Sequence, residues 1–337
     1  MATTSAMTAE VENIGQGWLA TVVVCTYNRA NLLRGAIESL LKLRMPVGGQ
    51  VEILVVDNAS TDQTAEVVGV LQQDSPIPLR YVLEANQGVA YARNRGLEEA
   101  RGNWVAFFDD DQIADVHWLA SLIDAAHQRQ TLCVGGAVKL LLPEDYREPL
   151  SGVCRVLLSE SPADAPAESY RDPRTPGTGN MLIQRELARR IGGFDVHATM
   201  GGEDTGLYRR MRREGISVWY EPTAVIYHHV PRQRLSESYM LWNASRTGVH
   251  LADTEHQHFG KFKFIVRLTL RCGQACLKGP GFLWRRFFAS QASERTGARC
   301  ILAAAAGYLR RTARWYLPSL FAQDAYFRKC MGISAKI

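Results

Sequence analysis

Residues 104–112 read WVAFFDDDQ, a short apolar run that leads directly into three consecutive aspartates. The Trp, Val and Phe side chains predict a buried strand, whose end is a fixed position for the residues that follow. Because alternate residues of a strand share a face, Asp109 and Asp111 can point to the same side. Three carboxylates this close repel one another unless a counter-charge lies beside them. Their oxygens suit Mg²⁺ or Mn²⁺, so the run predicts either a divalent metal site or an acidic surface loop that caps the next helix.

Strand and helix patterns alternate along the chain before this run. Residues 19–26, LATVVVCT, and residues 51–56, VEILVV, are rich in β-branched side chains over a typical strand length. A third apolar segment covers residues 79–83. Apolar residues at helical spacing follow each strand, over residues 31–43, 63–73 and 90–99. The alternation predicts an α/β fold with a mostly parallel central sheet and helices on both faces.

Polar side chains stand at the ends of three of these four strands. They are Thr26-Tyr27-Asn28 after the first strand, Asp57-Asn58 after the second and Asp109-Asp110-Asp111 after the fourth. In open α/β sheets ligands bind beyond the carboxyl ends of the strands, so these residues predict one binding site. Neither G-x-G-x-x-G nor G-x-x-x-x-G-K-[ST] follows the first strand, so a bound nucleotide would be held in another way.

Length and composition indicate a globular protein with one large domain and an appendage, or with two domains. Of its 337 residues, 46% are hydrophobic and 22% are charged, which are ordinary values. Residues 1–18 predict a disordered lead, because they are polar, acidic and without periodicity. They also lack the basic and apolar regions of a signal peptide. There is no run of about 18 apolar residues to predict a membrane span. Seven cysteines without a CxxC pair favour reduced thiols in the cytoplasm.

The net charge of +5 is unevenly distributed along the chain. Residues 260–315 contain 12 Lys or Arg and one acidic residue, Glu294, while the rest of the chain has 27 basic and 33 acidic residues. After Pro231 the pattern changes to helical segments rich in Arg, aromatic residues and Ala. We therefore predict a first domain over residues 19–235 and a basic, aromatic helical region over residues 236–337.

Taken in order, the motifs resemble those of a known family. The matching segments are VVVCTYNR at 22–29, VVDNASTDQT at 55–64, NQGVAYARNRG at 86–96, FFDDD at 107–111, GGFD at 192–195 and GGED at 201–204, followed by a strand that ends in His228. The chain resembles the family 2 inverting glycosyltransferases of the bacterial polysaccharide type, which have the Rossmann-like GT-A fold. Each motif alone is a weak signal, but their order and spacing over residues 19–231 are specific.

The resemblance implies an enzyme that moves one sugar from a nucleotide-diphospho-sugar to a hydroxyl group. The donor that we expect is a UDP-sugar. The acceptor would be a glycan or a lipid-linked saccharide, for example one linked to polyprenyl diphosphate. The positions that match the nucleotide-sugar site are Thr26, Tyr27, Asn28, Arg29, Asp57, Asn86, Gly88, Arg93, Asp109 and Asp110. Asp57 matches the carboxylate that contacts the base edge. For Arg93 the alternative is an ion pair with Asp57 or Asp109.

The resemblance also implies a metal site and a general base. Asp109 and Asp111 match the DxD pair, and His228 matches a histidine that completes the metal or diphosphate site, which implies Mn²⁺ or Mg²⁺ as cofactor. Asp204, beside Glu203, matches the general base, and a neighbouring carboxylate raises a pKa and makes a better base. The alternatives are that Asp204 only caps a helix over residues 205–215, that His228 is structural and that Asp110 faces only solvent or side chains that support the site. Many members carry a second acidic residue where this chain has Gly206, so the acceptor is less well defined.

The basic region near the C-terminus predicts contact with a membrane surface. Lys263, Arg267 and Arg271 recur at intervals of four, and residues 282–288, FLWRRFF, mix aromatic and arginine side chains. Such helices are typical of segments that lie on an anionic membrane, here the inner face of the cell membrane. The alternatives are a helical subdomain packed on the catalytic domain or a homodimer contact. We expect no nucleic acid partner, because no binding motif accompanies the charge.

Two other functions are compatible with parts of this pattern. A related nucleotidyltransferase should carry a glycine-rich, basic loop after the first strand, where this chain has Tyr27-Asn28-Arg29. A non-catalytic membrane-associated scaffold of the same fold would be expected to lose the DxD or the Glu203-Asp204 pair, and both pairs are present.

Overall fold

The computed structural model describes residues 18–46, 49–162, 165–171, 174–197 and 202–316, without the side chains of residues 18, 257–263 and 275–276. Within this part, the chain forms two compact units. The first comprises residues 18–141 and 165–229, and the second comprises residues 142–162 and 230–316. The second unit thus takes in a segment that the sequence assigned to the first domain. The predicted disordered lead lies outside the described residues, except for Trp18, which begins the first strand.

The first unit contains a sheet to which nine strands contribute within the described residues. In chain order they are β1 (Trp18–Thr26), β2 (Gln50–Asp57), β3 (Leu79–Leu83), β4 (Trp104–Asp109), β5 (Gln112–Ala114), β6 (Cys133–Leu141), β7 (Glu168–Ser169), β8 (Asn180–Gln184) and β9 (Trp219–His229). The order across the sheet is β3-β2-β1-β4-β8-β6-β9-β5, and β7 pairs with β9. Strands β1 to β4 are parallel, so their carboxyl ends meet at one edge, whereas β8 runs antiparallel to β4.

Helices cover both faces of this sheet, as predicted. They are α1 (Ala30–Leu40), α2 (Thr64–Gln73), α3 (Val89–Glu99), α4 (Trp118–Gln128), α6 (Arg185–Arg190) and α7 (Glu203–Arg213), while α5 (Gly152–Leu157) belongs to the second unit. Alternate side chains of β1 point to opposite faces. Val22 and Val24 pack with α1 and α4 side chains such as Ile37 and Trp118, whereas Val23 packs with α3 and α7 side chains such as Leu207.

Strand β9 runs without interruption through a proline. Residues 217–221 and 224–228 predict two strands, but the structure has one continuous strand over Trp219–His229. Its pairing with β6 shifts register between Gly136 and Ala137, opposite the segment that contains Pro222. Because proline cannot donate to a strand ladder, it is tolerated at such an irregularity. The strand continues past Pro222 and carries His228 to the site edge.

The segment 143–176, which predicts a long loop, contains short regular elements. Helix α5 begins after Ser151, whose hydroxyl accepts a hydrogen bond from the Cys154 amide at 3.3 Å. The two-residue strand β7 pairs with Trp219 and Tyr220 of β9. Elements this short have no measurable hydrophobic period, so pattern analysis could not find them.

The second unit is helical, as predicted for residues 236–316, and residues 317–337 lie outside the described part. A 3₁₀ turn, Arg232–Leu235, precedes α8 (Glu237–Phe288) and α9 (Ala292–Tyr316). Ser236 caps α8 by accepting a hydrogen bond from the Tyr239 amide at 3.3 Å. No helix in the described residues is long and apolar enough to cross a membrane.

Helix α8 folds back on itself. Arg271 Nη2 lies 2.6 Å from Glu255 Oε1, although the two residues are 16 positions apart. A straight helix would separate them by about 24 Å. Glu255 is buried and also accepts a hydrogen bond from the Tyr308 hydroxyl at 2.7 Å, so α9 packs on the same contact. Part of the basic charge of this region is therefore paired inside the unit.

Candidate active site

Strands β5 and β9 bring the last of the three aspartates next to a histidine. Gln112 is paired with His228, and the His229 amide donates to the Asp111 carbonyl at 2.9 Å. His228 Nε2 lies 3.6 Å from Asp111 Oδ2. His228 Nδ1 is buried and has no hydrogen-bond partner among the described residues. A carboxylate oxygen and an imidazole are thus adjacent at the strand ends.

Asp110 and Asp111 share one cationic partner. Asp110 is buried and accepts hydrogen bonds from Thr26 Oγ1 at 2.8 Å and from Arg29 Nη1 at 3.0 Å. The same Arg29 nitrogen lies 3.2 Å from Asp111 Oδ2. Asp110 therefore does not face solvent, and of the two alternatives considered for it only contact with supporting side chains agrees with the structure. Arg29 is the residue at the N-cap position of α1, so the turn after β1 supplies this positive charge.

The charged forms of two of the aspartates are disfavoured. Burial raises the pKa of Asp110 to about 6, although Arg29 and the Thr26 hydroxyl act in the opposite direction. Burial also raises the pKa of Asp109, where Arg93 opposes the rise. A cation bound beside these carboxylates would stabilise their charged forms.

The donor atoms at this edge fit a divalent cation that also has ligands from outside the chain. Among the described residues, no three His, Cys, Asp or Glu side chains already form a ligand set. Asp111 and His228 offer one oxygen and one nitrogen donor, while Asp109 lies 3.7 Å from Arg93 and 3.4 Å from Gln112. Mg²⁺ is commonly held by one or two carboxylates together with substrate phosphates and water. The residues present therefore suit a metal that binds together with a diphosphate.

Asp57 is buried at the end of β2, and both of its carboxylate oxygens have partners. Oδ1 accepts from the Ser60 amide at 2.9 Å, and Oδ2 accepts from the Tyr81 hydroxyl at 2.7 Å. Burial and this carboxylate raise the pKa of the Tyr81 hydroxyl to about 12. A carboxylate oxygen has more than one acceptor position, so Asp57 can still accept a further hydrogen bond.

Asn58 joins the loop after β2 to the loop before α3. Its Nδ2 donates to the carbonyl oxygens of Glu84 at 3.2 Å and Asn86 at 2.6 Å, and its Oδ1 accepts from the Gly88 amide at 2.7 Å. Gly88 has a φ of 141°, which favours glycine. Asn58, predicted from the sequence only as part of a polar strand end, thus fixes the position of a second loop of the site.

The turn after β1 is held against the same loops. Asn28 has a φ of 53°, its amide donates to Ser60 Oγ at 2.9 Å, and its Oδ1 accepts from the Thr61 amide at 2.7 Å. The half-exposed Tyr27 accepts a hydrogen bond from Gln87 Nε2 at 3.2 Å. The structure thus brings the predicted residues of the first three loops together at one edge.

Arg93 links the end of β4 to the start of α7. Its Nη1 lies 2.5 Å from Glu203 Oε1, and its Nη2 lies 3.7 Å from Asp109 Oδ1. The guanidinium also lies over the Phe194 ring, 5.6 Å from its centroid. Of the two ion pairs considered from the sequence, the one with Asp109 is present, while the main partner, Glu203, was not foreseen.

Asp204 is the second residue of α7 and does not cap it. The capping residue is Gly202, with a φ of 93°, so the interpretation of Asp204 as an N-cap is wrong. Asp204 Oδ1 instead accepts a hydrogen bond from the adjacent Thr205 amide at 2.6 Å. Burial, followed by the charge of Glu203, raises the pKa of Asp204. The raised pKa makes Asp204 a stronger base than an exposed aspartate.

Gly179 is a further residue of the site that the sequence analysis missed. A Cβ atom at this position would overlap Asp109 Oδ2 and Gln112 Nε2. The pattern of residues 177–183 favours a strand, but β8 begins only at Asn180. Gly179 therefore lies in the turn that faces the end of β4. A glycine here leaves room for the Asp109 carboxylate.

Residues 21–187 match the family model described as glycosyl transferase family 2. This chain belongs to glycosyl transferase family 2. The succinoglycan biosynthesis protein ExoM of Rhizobium meliloti (strain 1021) is 28% identical to this glycosyltransferase over 228 residues, which are 67% of this chain and 71% of ExoM. The chain spans about half the length, or less, of several further relatives that it matches.

Two solved structures show the same fold as this glycosyltransferase. The mannosyltransferase PcManGT from Pyrobaculum calidifontis, in complex with GDP-Man and Mn²⁺, is 24% identical with a TM-score of 0.55, and the match covers 97% of this chain and 92% of that one. S. aureus TarS 1–349, in complex with UDP-GlcNAc, is 16% identical with a TM-score of 0.51, and the match covers 88% and 91%. The predicted α/β fold of the GT-A type is confirmed.

Proposed function

We propose that this glycosyltransferase moves a single sugar, with inversion, from a UDP-sugar to a hydroxyl of a glycan or lipid-linked saccharide. The relative ExoM is named for succinoglycan biosynthesis, which supports a saccharide acceptor. The structures of TarS with UDP-GlcNAc and of PcManGT with GDP-Man have a related fold, which supports a nucleotide-diphospho-sugar donor for this chain. The acceptor that we favour is linked to polyprenyl diphosphate.

The nucleotide of the donor would bind at the ends of β1 to β3. Asp57 would accept a hydrogen bond from the base edge, as its buried carboxylate is fixed by Ser60 and Tyr81. Tyr27 and Asn28 would line the same pocket, and Asn58 holds the Gly88 loop beside it. Such fixed groups bind a ligand without reorganisation, which supports this assignment.

Asp111 and His228, with Asp109 beside them, are the residues that would hold Mn²⁺ or Mg²⁺ next to the donor diphosphate. Such an ion neutralises the charge that grows on a departing diphosphate. Thr26 and Arg29 position the Asp110 carboxylate, and Arg29 also contacts Asp111. The guanidinium of Arg29 can therefore turn from these carboxylates to the phosphate oxygens of a bound donor, which are equally good partners.

Asp204 would act as the general base. Its carboxylate takes the proton of the acceptor hydroxyl, the hydroxyl oxygen bonds to the anomeric carbon, and the bond from that carbon to the diphosphate oxygen breaks. Attack opposite the leaving group inverts the anomeric configuration. The observation that carries the proposal is the Arg93 bridge, since one side chain contacts both Asp109 at the end of β4 and Glu203 beside Asp204.

A donor screen followed by product analysis tests this function. The full chain is mixed with UDP- and GDP-sugars in the presence of Mn²⁺ or Mg²⁺, and the shift in unfolding temperature is measured. We expect a UDP-sugar to stabilise the protein only when a divalent metal is present. The product formed with a saccharide acceptor should then show, by its NMR coupling, the anomeric configuration opposite to that of the donor. Stabilisation by no nucleotide-sugar, or a product with retained configuration, would overturn the proposal.

A further inference from the structure

The second half of α8 presents an exposed apolar stripe. Val266, Leu270, Leu277, Trp284 and Phe288 are between 46% and 84% exposed. They follow one another at intervals of 4, 7, 7 and 4 residues. Since a helix turns about 100° per residue, these intervals keep all five side chains within about 40° of one another. The stripe runs from Val266 to Phe288, the last residue of α8.

Basic side chains flank this stripe on one side. Arg267, Arg271, Lys278 and Arg285 follow Val266 by 1, 5, 12 and 19 positions. The same geometry places them about 100–140° from Val266 around the helix axis. Arg267 and Arg271 pair with Glu255, whereas Lys278, Arg285 and the neighbouring Arg286 are exposed. The helix therefore has an apolar face and a cationic face.

Charge argues against a second copy of this chain as the partner of the stripe. Residues 256–293 contain seven Lys or Arg and no Asp or Glu. Two such helices packed together would bring like charges close, and these would repel. A partner with an apolar interior and an anionic surface would bury the apolar face and neutralise the cationic face.

We propose that the face of α8 formed by Val266, Leu270, Leu277, Trp284 and Phe288 binds in the interface of a membrane that contains anionic phospholipid. The apolar side chains would enter the boundary between headgroups and acyl chains, and Lys278, Arg285 and Arg286 would contact phosphate groups at the surface. Trp284 would lie at headgroup depth, which is the position that tryptophan prefers in membranes. The helix would lie in the plane of the membrane, in line with the absence of a spanning helix among the described residues. This proposal is independent of the sugar that is transferred.

Vesicle sedimentation with the full-length protein tests the surface. The protein is mixed with extruded vesicles of phosphatidylglycerol and phosphatidylcholine in equal parts, or of phosphatidylcholine alone, and the bound fraction is measured. We expect binding to the anionic vesicles that weakens at high salt. The double variant Trp284→Ser/Phe288→Ser should lower the partition coefficient about tenfold or more. The triple variant Lys278→Gln/Arg285→Gln/Arg286→Gln should lower it about a hundredfold on anionic vesicles and leave weak binding to neutral ones unchanged.

Val70→Ser is the matched control, because Val70 is an exposed apolar residue of α2, 49% accessible, outside the stripe. It should bind vesicles as the wild type does, and all variants should keep the wild-type unfolding temperature. Brominated phosphatidylcholine in the anionic vesicles should quench tryptophan fluorescence, and Trp284→Phe should bind while losing most of that quenching. The same affinity in the wild type and the double variant, or no binding by the wild type, would overturn the proposal. So would a wild-type dimer that the double variant turns into a monomer while neither binds vesicles.

Discussion

Arg93 donates a hydrogen bond to Glu203, with Nη1 2.5 Å from Oε1, although the two residues are 110 positions apart. The contact fastens the start of α7 to α3, and through the second guanidinium nitrogen to Asp109, 3.7 Å away. Arg93 and Glu203 are both buried. A buried pair of this kind restricts both side chains, so the carboxylate next to Asp204 is occupied by Arg93. Asp204 is thus left as the carboxylate of the pair that can face a substrate.

Asp204→Asn should slow sugar transfer strongly while the donor still binds. Asparagine keeps the size of the side chain and can still accept a hydrogen bond from the Thr205 amide, but it cannot take a proton. General base catalysis contributes about 10²–10⁴-fold, so kcat should fall by about that factor. Kinetics with a saccharide acceptor and calorimetric titration with the donor measure the two effects separately. Transfer at the wild-type rate would show that another group is the base.

Glu203→Gln should move the acid limb of the pH–rate profile to lower pH. The negative charge of Glu203 contributes to the raised pKa of Asp204, and its removal also frees the positive charge of Arg93. Both changes lower the pKa of Asp204. Since a base must be deprotonated to act, kcat/KM falls as pH drops through that pKa, and the variant should keep its rate to lower pH.

The control for this profile is Glu214→Gln, at the other end of α7. Glu214 follows the last helical residue and lies 3.6 Å from Arg190 on the surface. Its removal should leave the acid limb where it is in the wild type. An acid limb that does not move in Glu203→Gln, or that moves to higher pH, contradicts the assignment of Asp204.

Arg93→Ala should destabilise the fold strongly. Removal of one partner of a buried ion pair leaves an uncompensated charge, which costs about 3–5 kcal/mol. Arg34→Ala is the control, because Arg34 and Glu38 form an exposed pair at 3.9 Å, worth about 0.3–0.5 kcal/mol. Urea unfolding of both variants gives the comparison. Equal effects of the two substitutions would mean that the Arg93 contact contributes no more than a surface pair.

The local pattern of the sequence was sufficient to predict the strands that form the platform of the site. The apolar runs of β1, β2 and β4 occur as predicted, and their polar ends meet because parallel strands share one edge. The contacts that join distant segments could not be predicted in the same way. Arg93 finds Glu203 only once α7 has packed beside α3, and the bend of α8 is revealed only by the pairing of Glu255 with Arg271.

Arg29→Ala should change the affinity of the protein for metal and for donor in opposite directions. Arg29 lies 3.0 Å from Asp110 and 3.2 Å from Asp111, so its charge disfavours a second cation at these carboxylates. Without it, the affinity for Mn²⁺ alone should rise several-fold, by about the 1 kcal/mol expected for a partly screened charge. The affinity for the nucleotide-sugar should fall, since a phosphate partner is lost. Titration calorimetry with MnCl₂ alone and then with donor measures both; a lower affinity for Mn²⁺ alone would contradict the competition.

Gly179→Ala should disable the site while the fold is kept. An added Cβ would overlap Asp109 Oδ2 and Gln112 Nε2, so the Asp109 carboxylate has to leave its place beside Arg93. Overpacking of this kind lowers the free energy of unfolding by about 1–3 kcal/mol. The protein should therefore stay folded while metal-dependent transfer is largely lost. Gly177→Ala is the matched control, since a Cβ there meets no atom within 4 Å. Unfolding curves and transfer assays on both variants check the expectation. If Gly179→Ala keeps wild-type transfer and Gly177→Ala does too, the close approach of Gly179 to Asp109 has no part in positioning that carboxylate.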